Sequence, residues 1–81
     1  MSKEVKRNLK HFDFYKALGN KIKILRKSKK YSQEKLAFEV DSSRNYIGCI
    51  ERAEKFPSLG FILDIASVLN VEAKELFDFT F

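Results

Sequence analysis

The stretch QEKLAFEVDSSRNYIGCIER, Gln33 to Arg52, decides the fold. Ser32 immediately precedes it, and a serine hydroxyl there can accept the unpaired backbone N–H groups of a helix starting near Gln33, with Glu34 placed at the positive end of the helix dipole. Leu36, Ala37 and Val40 give that helix one apolar stripe. Asp41-Ser42-Ser43 then end it after about two turns, because short polar side chains compete for backbone hydrogen bonds. Ser43 can cap a second helix running from Arg44 to Glu51, with Ile47 and Ile50 facing inward and Arg44, Asn45, Gly48 and Arg52 facing outward. Two short helices joined by so short a turn must cross steeply. Their close approach wants a small residue, supplied by Ala37, and the turn wants a residue that tolerates positive φ, a conformation that Asp41 reaches more readily than most.

Working outward, Tyr15, Leu18, Ile22 and Leu25 recur at steps of three and four between Phe12 and Lys29, with Lys16, Lys23 and Lys27 on another face. That pattern predicts an amphipathic first helix with a basic exterior. After Pro57 and Ser58, the residues Leu59, Ile62, Ile65, Ala66 and Leu69 predict a strongly apolar fourth helix, ended near Asn70. A short last helix follows at about Glu72 to Phe77. The expectation is therefore an all-α, compact five-helix domain over residues 12–78, with its functional unit at 33–52. Residues 1–11 read as a flexible basic arm, and residues 79–81 as an apolar tail.

Composition removes several classes of function. One cysteine, Cys49, and one histidine, His11, supply neither a disulfide nor a zinc site, and no catalytic set can be assembled around that histidine. Gly19, Gly48 and Gly60 are isolated, so there is no phosphate-binding glycine loop, and no cofactor is expected. No apolar run is long enough for a signal peptide or a membrane span, and the reading is cytoplasmic. No attached effector-binding domain is expected. Net charge is +5 but uneven: residues 1–30 hold eleven Lys/Arg against Glu4 and Asp13, while residues 31–81 hold five against nine Asp/Glu. A basic half attracts polyanions, although an acidic lipid or protein surface would suit it equally.

Ser32-Gln33-Glu34-Lys35-Leu36-Ala37, Tyr46-Ile47, Glu51-Arg52, Pro57-Ser58-Leu59 and Ile65-Ala66 together resemble the Cro and phage-repressor (Xre) family of helix-turn-helix transcriptional regulators, over about Tyr15 to Phe77. The run Ser43-Arg44-Asn45-Tyr46-Ile47, followed by Ile50-Glu51-Arg52, is most similar to the controller proteins of restriction-modification systems, and prophage repressors share much of it. The resemblance implies a phage-repressor-like fold, double-stranded DNA as partner and no enzymatic activity. It implies that Gln33 binds a DNA phosphate, that Ser43 at the start of the recognition helix belongs to the DNA-binding set, that Arg44 reads a guanine edge in the major groove and Asn45 bonds an adjacent base or phosphate, and that Arg52 and Lys55 grip phosphates. It also implies a buried structural ion pair between Arg26 and Glu51. Three positions depart from the family pattern: Lys30 and Ala53 stand where glycine is common, and Ser42 replaces an apolar turn residue.

Tyr46 can touch DNA or cap the core with its ring, and the sequence leaves both open. Lys16, Lys23 and Lys27 read as a solvated face rather than direct phosphate contacts. Cys49 is expected on the exposed side of its helix as a tolerated small residue. A homodimer on a pseudo-palindromic operator is expected, its seam formed by Leu76, Phe77, Phe79 and Phe81 unless these rings close the protomer's own core. The alternative function is an antitoxin-like module that binds a partner protein through the same apolar C-terminus.

Overall fold

A computed structural model describes residues 11–79; residues 1–10 of the expected basic arm, together with Thr80 and Phe81, lie outside them. The described residues form five helices and no strand: α1 Phe12–Ser28, α2 Gln33–Glu39, α3 Arg44–Glu51, α4 Leu59–Leu69 and α5 Ala73–Leu76. None of these helices is long and apolar enough to cross a membrane.

The caps that punctuate the sequence set the helix starts. The hydroxyls of Ser32, Ser43 and Ser58 accept the backbone N–H groups of Lys35, Tyr46 and Phe61 at 3.0, 3.0 and 3.1 Å. Each satisfies a donor that the first helical turn would otherwise leave unpaired. Leu18 and Ile22 of α1, Leu36 and Ala37 of α2, Ile47 and Ile50 of α3, Ile62, Ile65, Ala66 and Leu69 of α4 and Leu76 of α5 make one continuous core. Each fully buried Leu or Ile contributes roughly 1.5–3 kcal/mol relative to exposure. α2 packs on α3, α1 lies against α3, and α5 closes the bundle against α1 and α4.

Four helices end in the same way, and none of them uses glycine. Lys30, Asp41, Ala53 and Asn70 adopt φ of 62°, 57°, 59° and 56°. Behind each, two backbone N–H groups turn back on the finished helix, as when Tyr31 and Lys30 donate to the carbonyls of Arg26 and Lys27 at 3.0 Å. This is the Schellman ending, in which a left-handed residue satisfies the last carbonyls. It explains why Asp41 suits the turn between α2 and α3, and it puts Lys30 and Ala53 in the conformation for which the family resemblance leads one to expect glycine.

The glycines do a different job. Gly19 faces the C-terminal end of α3, where an added Cβ would collide with the Ile50 carbonyl oxygen and lie 2.9 Å from that of Glu51. Its missing side chain sets how closely α1 and α3 approach. A left-handed conformation costs an ordinary residue roughly 1–2 kcal/mol, partly offset by the greater unfolded-state freedom of glycine. Lys30→Gly, at an exposed site, is therefore expected to stabilise the fold by about 0.5 kcal/mol, read as a rise of roughly 3 °C in the midpoint of thermal unfolding.

Candidate nucleic-acid interface

The α2–α3 unit presents the first turn of α3 at the surface. Arg44 and Asn45 are both exposed and make no side-chain hydrogen bond or ion pair among the described residues. Ser43 is exposed too, and its oxygen is already engaged by the Tyr46 N–H, which leaves its hydroxyl hydrogen to donate. These three residues point outward from a helix end whose φ and ψ are fixed by capping on one side and by Asp41 on the other.

A buried ionic network holds the unit in place. The Arg26 guanidinium donates from Nε to Glu51 Oε2 at 2.7 Å and from Nη2 to Oε1 at 3.2 Å, a two-pronged pair whose side chains are 7% and 2% exposed. Arg26 Nη1 also donates to the Tyr31 carbonyl at 2.7 Å, and Gln33 Nε2 donates to Glu51 Oε1 at 2.9 Å. One carboxylate thus joins α1, the first residue of α2 and the last residue of α3. Gln33 is half-buried and one of its amide N–H groups is committed to the core, so only the rest of the amide remains for a phosphate.

Along α3 the structure corrects two outward assignments. Gly48 is buried, because the Arg52 side chain folds back over it: Nη1 lies 2.9 Å from where a Cβ would stand. Cys49 is buried as well, with Arg52 Nη2 3.8 Å from its Sγ. Arg52 itself is exposed and paired with Glu54, from Nε to Oε2 at 3.0 Å and Nη2 to Oε1 at 3.2 Å. That hydrogen bond holds the Glu54 carboxyl below its ordinary range and raises the Arg52 guanidinium. Lys55 is exposed in the following turn. The Tyr46 ring packs edge-on against Phe61 at 5.3 Å, on the core side of α3.

The apolar edge is also redrawn. Leu76 is fully buried in the protomer's own core, held there by the docking of α5, so it cannot form part of an exposed seam. Phe77 remains 36% exposed and stacks on Phe14 at 6.3 Å, while Phe79 meets Phe14 edge-on at 5.3 Å; Phe81 lies outside the described residues. Leu59 and Leu63 of α4 are 65% and 47% exposed, and Leu59 lines a shallow groove with Phe14 and Phe77; the sequence reading counts Leu59 in the apolar stripe of this helix and does not single out Leu63. Their spacing of four, offset from the buried Ile62, Ile65 and Leu69, was the signal that could have found them.

The helix-turn-helix family profile matches residues 22–76. The chain belongs to the helix-turn-helix family. It is 49% identical over 63 residues to the control protein C.BamHI of Bacillus amyloliquefaciens, covering 76% of this chain and 78% of that protein. It is 43% identical over 58 residues to the helix-turn-helix transcriptional regulator YazB of Bacillus subtilis, covering 72% and 84%. The crystal structure of the restriction-modification controller protein C.AhdI from Aeromonas hydrophila superposes with a TM-score of 0.80 at 39% identity, covering 83% of this chain and 97% of that one. The Xre and Cro resemblance is thus a relationship of descent, and this helix-turn-helix chain is a DNA-binding transcriptional regulator rather than an enzyme.

Removing one partner of a buried ion pair strands the other charge. Glu51→Ala is expected to cost about 3–5 kcal/mol, seen as a fall in the urea midpoint. Glu54→Ala, which breaks an exposed pair, should leave that midpoint near the parent value.

Proposed function

We propose that the protein regulates transcription as a homodimer that occupies a pseudo-palindromic operator in the cytoplasm, with the first turn of α3 in the major groove of each half-site. What carries this reading is the pair Arg44 and Asn45: exposed and uncommitted, at the start of a capped helix that a buried network holds rigid. Arg44 has the two-pronged donor geometry that matches the O6 and N7 edge of guanine, and Asn45 can donate to and accept from an adjacent base. Ser43, Gln33, Arg52 and Lys55 contact phosphates and fix the register. Tyr46, with its ring against Phe61, keeps only its hydroxyl for a backbone contact. Kinship with two controller proteins supports control of a restriction-modification locus.

The second copy sits on the apolar edge formed by Leu59, Leu63, Phe77 and Phe79, next to the shallow groove that Phe14, Pro57 and Leu59 line. A two-fold operator whose half-sites lie one turn of DNA apart requires the two α3 helices of the dimer to stand about 34 Å apart.

Selection from random duplexes, followed by titration against scrambled competitor at fixed salt, tests the reading: enrichment of a two-fold symmetric site supports it, and absence of any preference overturns it. On the selected site, Arg44→Ala is expected to weaken binding by about 1–3 kcal/mol while non-specific binding changes less. Equal losses on both would remove Arg44 from base reading. Leu63→Glu is expected to convert the dimer to a folded monomer in sedimentation; a parent chain that sediments as a monomer would instead favour a partner protein at this edge.

A further inference from the structure

The C-terminal end of α3 and the facing turn of α1 enclose an open groove of about 390 Å³, lined by Lys16, Ala17, Asn20, Glu51 and Arg52. We propose that this groove seats a backbone phosphate of the bound DNA between Lys16, Asn20 and Arg52, and that Glu54 occupies the Arg52 guanidinium until the phosphate displaces it. The inference rests on the operator-binding reading above and adds to it a contact from α1.

Position supports it first. Arg44, Gly48 and Arg52 follow one another at intervals of four, so they share one stripe of α3, and the guanidinium lying over Gly48 confirms that Arg52 runs back along that stripe. The groove therefore opens beside the face that begins with Arg44. A helix whose first turn enters the major groove carries its other end out toward the strand that borders it, where phosphates lie.

Chemistry supports it second. Lys16 and Asn20 stand one helical turn apart on α1 and offer an ammonium and an amide to the same space. The Lys16 ammonium is 5.7 Å from the centre of the Phe12 ring, a contact that leaves its N–H donors to solvent or to a ligand. Glu51, the carboxylate in the groove wall, is 2% exposed and already bonded by Arg26 and Gln33, so the cations facing the groove are not cancelled from beneath.

The Arg52–Glu54 pair supplies the third argument. Its two parallel N–H to oxygen bonds, at 3.0 and 3.2 Å, use the same guanidinium fork that grips two phosphate oxygens. Both side chains are more than half exposed, at 56% and 54%, so water and salt weaken the pair and an incoming phosphate can take its place. Glu54 thereby presets the fork in the geometry that a phosphate needs, while competing with it for the same donors.

Salt-dependent titration of the wild type, Lys16→Gln, Glu54→Gln, Arg52→Gln and the Arg52→Gln/Glu54→Gln double variant, on a mixed-sequence duplex and on the selected duplex, tests the proposal. Circular dichroism first establishes that each variant is helical. Lys16→Gln should weaken binding to both duplexes roughly three- to ten-fold and flatten the slope of log K against log salt by about 0.9 per protomer. Glu54→Gln should tighten binding several-fold and steepen that slope, and the gain should vanish when Arg52 is also replaced. Slopes equal to the wild type for Lys16→Gln and Glu54→Gln overturn the groove while operator binding stands. A Glu54→Gln gain of the same size without Arg52 also overturns it, because Glu54 would then be a plain repelling charge. Failure of the wild type to bind either duplex at low salt overturns the operator-binding reading itself, and the groove with it.

Discussion

A single buried carboxylate, Glu51, connects the parts of this protein that must not move relative to one another. It receives both prongs of Arg26 from α1 and the amide of Gln33 from the start of α2, while its own backbone closes α3. A pair with side chains 7% and 2% exposed would be costly to bury unless every donor and acceptor were satisfied, and Arg26 meets that condition by spending its third nitrogen on the Tyr31 carbonyl. No buried side-chain nitrogen or oxygen among the described residues lacks a partner. The crossing of α2 and α3, and with it the presentation of the α3 first turn, follows from this network together with the packing of Ile47 and Ile50 against Leu36 and Ala37.

The same economy governs the helix ends. Turns that usually call on glycine are made by Lys30, Asp41, Ala53 and Asn70, while Gly19 and Gly48 sit inside helices where another group comes close, the α3 carbonyls in one case and the Arg52 guanidinium in the other. Asp and Asn visit the left-handed region with little penalty; Lys and Ala do so only because the surrounding structure leaves no alternative. Ala53, 5% exposed, is fixed there by the bonds of its own and the next N–H to Ile50 and Cys49.

Most of the architecture was legible in the sequence because its signals are local. Ser32, Ser43, Asp41 and Asn70 act within one turn of themselves, and the three- and four-residue steps of Leu18, Ile22, Ile62, Ile65 and Leu69 need no knowledge of the partner helix. The misassigned residues depend on events that periodicity does not encode. Gly48 and Cys49 stand on the side of α3 expected to be open, but the long side chain of Arg52, four and three residues on, lies back across them. Leu76 and Phe77 are neighbours of similar hydrophobicity, and only the docking angle of a four-residue helix decides which of them enters the core. Gln33 was assigned to phosphate by resemblance, and its second commitment, to Glu51, becomes visible only once α2 and α3 are packed.

The division of labour between Glu51 and the Arg44–Asn45 pair has a consequence for how such a protein can change over generations. Gln33 is bound into the interior, so altering it disturbs the scaffold. Arg44 and Asn45 have no intramolecular duty among the described residues, and they can be exchanged without loosening a helix or exposing a charge. On the proposed reading of Arg44 and Asn45 as the base-reading pair, lineages that share this scaffold are free to drift in which DNA they address by replacing two side chains, while the residues that hold the helices together stay under constraint. Target choice and foldedness are thereby inherited as nearly separate traits, which suits a fold that has to acquire new addresses without passing through an unfolded intermediate in sequence space.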